Sequence, residues 1–379
     1  MTDWRRTFDE LTLDALYERR GAKWRKYDTS VVPVWVADMD FPISPAVGAV
    51  LEHHRRQGDL GYASYDDDHG YRMALSTWLQ ARDGWAPHPD DIHTVVDVLQ
   101  GMAATVAVHT RPGDGIILQT PAYPPLFRII EEADRRLIAN PLTADHRLDV
   151  EHLAEVAPDA RALLLCNPHN PTGRVFTADE LGAALEVASR HDLLIISDEI
   201  HADLVHHGHR HIPMASLDAA HSRTVTLTSA SKTFAMPGLS CAAAIGPPAM
   251  LDPIRSMPMG LLGHPSVVGL RAAVAAWEDD SGWLDEVRRR IVDNLRHAAA
   301  RLEEGGFGTT VPEATYLMWV DCRPKDWNDE PAERFVRDAK VAFGFGSDFG
   351  VDSVDFVRLN VATVRSVLDE ALDRALSLG

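Results

Sequence analysis

The sequence is poor in cysteine and lacks the features that mark several classes of protein. Its 379 residues include three cysteines, Cys166, Cys241 and Cys322, and none forms a C-x-x-C pair. A disulfide framework is therefore not expected. The N-terminal sequence MTDWRRTFDE has no apolar signal-peptide core, and no run approaches the ~18 apolar residues of a membrane-spanning helix. These absences predict a cytoplasmic protein with no membrane partner.

Positive charge is also scarce. There are 37 Lys and Arg residues against 56 Asp and Glu residues, which gives a formal net charge of −19. An acidic surface repels phosphate backbones, so no nucleic-acid partner is expected. The 45% hydrophobic and 25% charged residues are ordinary for a folded globular chain. At roughly 150 residues per domain, the length predicts two domains or one large domain.

Four short apolar runs in the middle of the chain are typical of buried strands. They are Gly115–Gln119, Ala162–Cys166, Leu193–Ser197 and Thr224–Thr228. Between the second and third runs, residues 177–190 begin like a capping box and continue with helical periodicity. Continuous apolar strands that alternate with helices predict a mostly parallel sheet.

The C-terminal part has a different pattern. Residues 281–304 form a long amphipathic helical segment, and strand-like runs follow at 315–320 and 356–360, with a helix near 331–340 between them. We therefore expect an α/β fold. A large domain with a mostly parallel, mixed sheet would be covered by helices on both faces, and a smaller α+β domain would combine the N-terminal arm with the C-terminal part. The predicted bounds are 1–45 for the arm, 46–282 for the large domain and 283–379 for the small one.

Polar side chains with distinct chemistry follow the four central strands. They are Tyr123, Asn170, Asp198 and Lys232 in chain order. Three of them have a plain alternative, since Tyr123 suits a core, Asp198 a helix cap and Lys232 a solvated surface. Open α/β sheets bind ligands at the carboxyl ends of their strands. There, an aromatic plate, an amide, a carboxylate and a lysine would together hold a flat, phosphorylated aldehyde with a pyridinium ring.

Several motifs carry a resemblance to a known family. N-P-H-N-P-T-G at 167–173, S-D-E-I-H at 197–201 and S-A-S-K at 229–232 occur in the order seen in fold-type I pyridoxal 5′-phosphate (PLP) enzymes, the aspartate aminotransferase superfamily. W-V-A-D-M-D-F at 35–41 and C-N-P-H-N-P-T-G-R at 166–174 resemble the PatB/MalY-type C–S lyase branch, which is cystathionine β-lyase-like. The resembling segments span about residues 30–360.

The resemblance implies a role for each ring-binding residue. Lys232 would bind the PLP aldehyde covalently and then act as the mobile base. Asp198 would pair with the pyridinium nitrogen and keep it protonated. Asn170 would donate to the ring 3′-oxygen with His201 nearby, and Tyr123 would stack on the ring.

The resemblance also implies a phosphate site. Ser229 and Ser231 are the candidate hydroxyls, and Val98 and Leu99 are the candidate backbone donors at a helix start. Tyr62 resembles a tyrosine that reaches the phosphate of the neighbouring subunit, which implies a homodimer with shared active sites. The alternative for Tyr62 is a plain core residue.

On the substrate side, Arg358 would bind the α-carboxylate through its bidentate fork, with Ala37 and Asp38 nearby. The alternative for Arg358 is a surface arginine. Two positions depart from relatives. Asp97 stands where many have glycine, so its side chain is expected to point away from the phosphate or to cap a turn. Ala235 stands where many have asparagine.

These features predict a PLP-dependent C–S β-lyase that cleaves an L-cysteine S-conjugate or a cystathionine-like thioether to thiol, pyruvate and ammonia. The alternatives are a PLP-dependent aminotransferase, another PLP amino-acid reaction such as decarboxylation or oxidative deamination, and a mainly regulatory role through protein contact. The histidines between 206 and 211 have a metal-like spacing, but a solvated loop is the favoured interpretation and no metal is expected.

Overall fold

A computed structural model describes residues 4–218 and 222–378. The β-strands are β1 (Val32–Pro33), β2 (Ile92–Val95), β3 (Gly115–Thr120), β4 (Arg136–Pro141), β5 (Ala162–Cys166), β6 (Leu194–Asp198), β7 (Thr224–Thr228), β8 (Ala242–Ile245), β9 (Gly308–Thr309), β10 (Leu317–Asp321), β11 (Val341–Ala342), β12 (Gly344–Phe345) and β13 (Phe356–Asn360). The α-helices are α1 (Trp4–Asp9), α2 (Leu13–Tyr17), α3 (Ala22–Arg25), α4 (Pro45–Gln57), α5 (Tyr65–Asp83), α6 (Val98–His109), α7 (Pro124–Glu132), α8 (Val150–Val156), α9 (Ala178–Arg190), α10 (Met214–Leu217), α11 (Pro248–Arg255), α12 (Met259–Leu262), α13 (Val267–Trp277), α14 (Trp283–Glu304), α15 (Pro331–Arg334) and α16 (Arg365–Leu376). Within these described ranges, no helix is both long enough and apolar enough to cross a membrane.

The chain divides into two compact units. The larger unit comprises Ile43–His169 and Arg174–Asp280. The smaller unit combines the N-terminal segment up to Pro42, the loop Asn170–Gly173 and the chain from Ser281 onward. Each unit therefore draws on segments that are distant in sequence.

The larger unit is built on a mixed, mostly parallel sheet. Seven strands of the described chain form it, in the order β2-β8-β7-β6-β5-β3-β4. The five strands from β7 to β4 are mutually parallel, whereas β8 runs antiparallel to both β2 and β7. This arrangement confirms the predicted α/β fold class. The capping box at the start of α9 is present, with Thr177 and Glu180 bonding each other's backbone N–H groups.

Both faces of this sheet carry a core, which explains why its strands are apolar without alternation. Leu164 of β5 and Ile196 of β6 face a core that includes residues of α6, α7 and α11. Leu163 and Ile195, their neighbours in sequence, face another core that includes residues of α8, α9 and α10. Successive side chains of a strand point to opposite faces, so each strand contributes to both cores.

The smaller unit contains an antiparallel sheet of order β12-β13-β10-β9. The long helix α14 begins at Trp283, whose side chain is fully buried and whose Nε1 donates to the Pro42 carbonyl at 2.9 Å. The N-terminal segment, for which no strand was predicted, does contain the short strand β1. It pairs in parallel with β11, with Val32 opposite Val341.

A buried ion pair organises the N-terminal segment of the smaller unit. Lys23 Nζ lies 2.7 Å from Asp40 Oδ2, and both side chains are almost completely buried. The other oxygen of Asp40 accepts from Trp24 Nε1 at 2.8 Å. Lys23 also donates to the Asp38 carbonyl at 3.1 Å. The pair therefore fixes the backbone of residues 38–40, which belong to the W-V-A-D-M-D-F motif.

Removal of the Asp40 charge is expected to destabilise the protein strongly. In Asp40→Asn the Lys23 ammonium stays buried without a counter-ion, which typically costs about 3–5 kcal/mol. Urea unfolding followed by tryptophan fluorescence measures the loss. The matched control is Glu132→Gln, which neutralises an exposed carboxylate that lies 3.0 Å from Arg128 and should change little. Equal effects of the two substitutions would contradict the structural role of the Lys23–Asp40 pair.

Candidate active site

Asp198 lies at the carboxyl end of β6, near the middle of the larger sheet. Its side chain is 4% exposed, and Oδ1 accepts a hydrogen bond from the Ile200 N–H at 3.1 Å. Its backbone carbonyl accepts from the Asn167 N–H at 2.9 Å, so the ends of β5 and β6 are tied together. The structure therefore presents a buried carboxylate at the carboxyl ends of the parallel strands. Open α/β sheets bind their ligands on this side.

The electrostatic surroundings of Asp198 disfavour its ionised form. Burial is the main cause that raises the pKa of Asp198 to about 6, and the neighbouring negative charge of Glu199 contributes to the rise. The Ile200 hydrogen bond and the positive charge of Lys232 act in the opposite direction. A buried acid with a raised pKa gains most from a new cationic partner, because that partner offsets the cost of burying its charge.

Lys232 follows β7 in a tight loop. The Ser229 hydroxyl, which is buried, donates to the Cys241 carbonyl at 2.7 Å and accepts from the Ser231 N–H at 3.0 Å. Its single proton is thus already used inside the protein, so Ser231 is the better candidate to donate to a phosphate. Ala235 has a φ of +53°, a region where asparagine and glycine fit better than alanine. The departure at Ala235 therefore places a strained residue near the lysine.

The helix predicted to bind phosphate is α6. Its N-cap is Asp97, whose Oδ1 accepts from the Gln100 N–H at 2.8 Å. The side chain caps a turn, as expected. Because the cap uses the N–H of Gln100, the N–H groups of Val98 and Leu99 in the same first turn remain suited to an anion.

The remaining ring and phosphate candidates of the larger unit differ in exposure. His201, in the turn after Asp198, is 2% exposed. Tyr123 is partly buried and packs against the core that contains α6 and α7. Tyr62 is 97% exposed, which excludes the plain-core alternative within a single copy of the chain.

The smaller unit brings two predicted residues into direct contact. Arg358 of β13 is 4% exposed, and its Nη1 donates to Asn170 Oδ1 at 2.9 Å. Nη2 donates to the Trp35 carbonyl at 3.1 Å, and the guanidinium lies 4.8 Å from the centre of the Phe349 ring. Arg358 is therefore a buried, oriented cation and not a surface residue.

Ala37 and Asp38 lie in a segment held by neighbouring side chains of the smaller unit. The Ala37 carbonyl accepts from the Tyr316 hydroxyl at 3.2 Å. Asn360 Nδ2 donates to the carbonyls of Val36 and Asp38, each at 2.7 Å. The motif W-V-A-D-M-D-F is thus a fixed turn, which suits a role in orienting a ligand.

The histidine-rich loop differs from the prediction in one respect. His207 and His209 are exposed, as expected of a solvated loop. His211 is instead buried, with Nε2 2.9 Å from Glu199 Oε2. Glu199 also accepts from the Ser197 hydroxyl at 2.9 Å. The loop is therefore anchored to the end of β6 by one of its histidines. Among the described residues, no group of three or more His, Cys, Asp or Glu side chains could hold a metal ion.

Sequence reasoning missed the side chains that support the predicted site. Asp203 accepts a hydrogen bond from the Thr233 hydroxyl at 2.9 Å, next to Lys232. Lys23 and Asp40 support the segment that contains Asp38. An aspartate in S-D-E-I-H-A-D and a lysine in a polar N-terminal segment carry no local signal of burial, so only the three-dimensional structure reveals them.

Comparison with known proteins places the chain in a family. The protein-family model for aminotransferase class I and II matches residues 33–375 of this chain. Cystathionine beta-lyase PatB of Bacillus subtilis (strain 168) is 32% identical over 96% of this chain and 98% of its own length. Protein MalY of Escherichia coli (strain K12) is 30% identical over 90% of each chain. The crystal structure of the PLP-bound C-S lyase from Staphylococcus hominis aligns with a TM-score of 0.89 at 26% identity, covering 97% of this chain and 98% of the other.

The chain belongs to the aminotransferase class I and II family. Its similarity to PatB and MalY confirms the branch that the sequence motifs indicated.

Replacement of Asp198 by asparagine is expected to stabilise the protein when no cofactor is bound. The raised pKa means that the folded state holds the Asp198 proton more tightly than the unfolded state does. The favourable contribution of this bound proton to the free energy of unfolding is complete below the ordinary aspartate pKa of 3.8. It is lost as the pH rises through about 6. Near neutral pH, Asp198→Asn should therefore gain about 3 kcal/mol of unfolding free energy, the equivalent of a rise in pKa from 3.8 to about 6.

Urea unfolding of the cofactor-free proteins over a pH series measures this effect. The stability difference between Asp198→Asn and wild type should shrink as the pH falls through about 6. Glu132→Gln, which neutralises an exposed carboxylate, is the matched control and should change the stability little. A loss of stability for Asp198→Asn near neutral pH would show that its carboxylate is better compensated than the structure indicates.

Proposed function

We propose that this protein is a PLP-dependent carbon–sulfur β-lyase acting on an L-cysteine thioether, such as a cysteine S-conjugate or cystathionine. The overall reaction consumes one thioether and one water and yields one thiol, one pyruvate and one ammonia. The names of its relatives, a cystathionine beta-lyase and a C-S lyase with bound PLP, support this activity.

The observation that carries the proposal is the Asp198 carboxylate, buried at a strand end with Lys232 close enough to shift its pKa. A protonated pyridine nitrogen is a cation of the kind that this carboxylate needs. The residues present therefore fit PLP. When bound, PLP supplies an electron-withdrawing cationic ring that stabilises negative charge at the substrate Cα.

The residues of the larger unit have separate tasks in this proposal. The Asp198 carboxylate keeps a proton on the ring nitrogen by ion pairing. Lys232 Nζ binds the cofactor aldehyde in the resting enzyme and accepts the Cα proton of the substrate during turnover. Ser231 and the N–H groups of Val98 and Leu99 bind the phosphate, and Tyr123 stacks on the ring.

The smaller unit is proposed to bind the amino-acid end of the substrate. The Arg358 guanidinium pairs with the α-carboxylate, and its contacts with Asn170 and Trp35 hold it in one orientation. The Asn170 amide is proposed to donate its Nδ2–H to the ring 3′-oxygen while its Oδ1 accepts from Arg358.

An assay with cystathionine and an S-alkyl-L-cysteine tests the reaction. The purified protein with PLP should release pyruvate and free thiol in equal amounts without a keto-acid acceptor. Lys232→Ala should release neither, because the base at Cα is gone. The matched control is Lys325→Ala, which removes a lysine of the smaller unit that donates to the Gly305 carbonyl and should leave turnover intact. Absence of both products with wild type would refute the lyase, and dependence on a keto acid would indicate an aminotransferase.

We also propose that the protein works as a homodimer whose active sites draw on both copies. Three large side chains close together in sequence are 74–97% exposed, namely Leu60, Tyr62 and Tyr65. Monomeric proteins seldom expose a contiguous apolar surface of this kind. The three side chains line a cavity of about 900 Å³ together with His264. The Leu261 carbonyl of the adjoining helix accepts from Gln100 Nε2 at 3.5 Å, which places this apolar surface beside the first turn of α6.

A subunit-complementation experiment tests the shared site. In the proposed dimer, each active site uses Lys232 of one copy and Tyr62 of the other copy. Lys232→Ala and Tyr62→Ala each remove one of these two side chains. Mixed and exchanged, the variants should recover about one quarter of wild-type activity, because half of the dimers are then mixed and each has one intact site. Light scattering should report a dimer in every sample. A monomer, or activity no higher than the average of the separate variants, would contradict the proposal.

A further inference from the structure

Asp203 is a buried carboxylate to which the proposed reaction assigns no role. It lies in the turn Ala202–Leu204 that follows Asp198 and His201, and it is 6% exposed. Its Oδ1 accepts from Trp78 Nε1 at 2.8 Å and from Arg82 Nη1. Its Oδ2 accepts from the Thr233 hydroxyl at 2.9 Å. Two of these donors, Trp78 and Arg82, belong to α5.

The charge of Asp203 is stable in this environment. Burial alone would raise the pKa of Asp203, but the Arg82 charge and the hydrogen bonds outweigh burial and lower it. Arg82 also pairs with Asp83 at 2.5 Å, so a buried cation lies between two carboxylates. Asp203 is therefore an ionised acceptor near neutral pH, and the Thr233 hydroxyl must direct its proton toward it.

Thr233 directly follows Lys232 in the chain, so this hydrogen bond fixes the backbone beside the lysine. The next residue, Phe234, is fully buried and meets the Trp78 ring edge-on at 6.2 Å between centroids. The two residues after Lys232 are thus both held by α5, one through Asp203 and one by direct packing. Since Asp203 belongs to the turn after Asp198, the loops that present the acid and the amine are joined.

We propose that Asp203 is a positioning residue, which acts through Thr233 to orient the Lys232 side chain toward the carbon of a bound aldehyde. The inference rests on the proposed function, because it assumes that Lys232 attaches PLP. If the Lys232 side chain were mobile, forming the bond to that carbon would require ordering it at an entropic cost. In a fixed loop the side chain is already ordered when the protein folds, so bond formation does not carry this cost. The Asp203–Thr233 bond is therefore predicted to affect covalent attachment and not the non-covalent binding of the cofactor.

Two ligands separate these effects. PLP can form a C=N bond with Lys232 Nζ, releasing its aldehyde oxygen as water. 4′-Deoxypyridoxine phosphate has the same ring and phosphate but no aldehyde, so it binds only non-covalently. The dissociation constants of both are measured by fluorescence quenching with the full-length, cofactor-free protein.

The main variant is Thr233→Val, which keeps the shape of the side chain and removes its hydroxyl. We expect its dissociation constant for PLP to rise about 10-fold, the effect of losing one hydrogen bond to a charged group. Its dissociation constant for 4′-deoxypyridoxine phosphate should stay unchanged. Thr233→Ser should restore PLP binding because it restores the hydroxyl.

The matched control is Thr224→Val. Thr224 is also a buried threonine whose hydroxyl faces an aspartate, Asp218, at 3.4 Å, but it lies at the opposite end of β7 from the Lys232 loop. It should bind both ligands like wild type. Trp78→Phe is a second probe, because it keeps a ring against Phe234 and removes the N–H that donates to Asp203. It should weaken PLP binding selectively even if Thr233→Val does not fold.

Three results would overturn the inference in distinguishable ways. Equal weakening of both ligands by Thr233→Val would show that the contact merely supports the pocket. Unchanged PLP binding in both Thr233→Val and Trp78→Phe would show that the network does not affect Lys232. Failure of the wild-type protein to bind PLP would refute the proposed function itself, and the positioning role with it.

Discussion

The chemistry proposed for the larger unit depends on one buried carboxylate, Asp198, whose negative charge the protein compensates only in part. Asp198 lies at the end of a strand in the interior of the sheet, where water cannot solvate its carboxylate well. The protein supplies a backbone N–H and the charge of Lys232, yet the pKa of Asp198 still rises to about 6. The two nearby acids differ from Asp198 because protein side chains bind their carboxylates. Glu199 is hydrogen-bonded to Ser197 and His211, and Asp203 is paired with Arg82. Of these three carboxylates, Asp198 has the surroundings that best suit a cationic ligand.

In each unit, the residues proposed to touch a ligand are held in place by further residues. The Lys232 loop is held by Thr233 and Phe234, and the turn after Asp198 is held by Asp203. In the smaller unit, Arg358 is oriented by Asn170 and the Trp35 carbonyl. Rigid neighbours of this kind allow a few chemically active groups to act in a fixed geometry, because their ordering cost is met when the protein folds.

Much of the fold could be predicted because its strands carry a strong local signal. The strands β5, β7 and β13 match the predicted runs residue for residue, since continuous or alternating apolar patterns mark burial directly. The strand β8 was not predicted. Its sequence, Ala-Ala-Ala-Ile, has a single β-branched residue, and its place between β2 and β7 depends on pairing with distant strands.

Some of the proposed ligand-binding residues could likewise be predicted from local patterns, and others could not. Asp198 and Lys232 each follow a predicted strand, so their positions at one edge of the sheet follow from local patterns. Contacts between distant segments could not be predicted. Asn170 and Arg358 are separated by 188 positions in the chain, and nothing near either residue indicates the other. The buried state of His211 likewise depends on Glu199, and the sequence around it is that of a solvated loop.

The most direct test of the central claim is to locate the attachment point of the cofactor. The protein is purified with PLP, treated with borohydride, digested and examined by mass spectrometry. We predict that the cofactor absorbance is bleached and that a single reduced phosphopyridoxyl group is found on the peptide containing Lys232. A modification at another lysine, or no modification in a protein that nevertheless cleaves thioethers, would contradict the account.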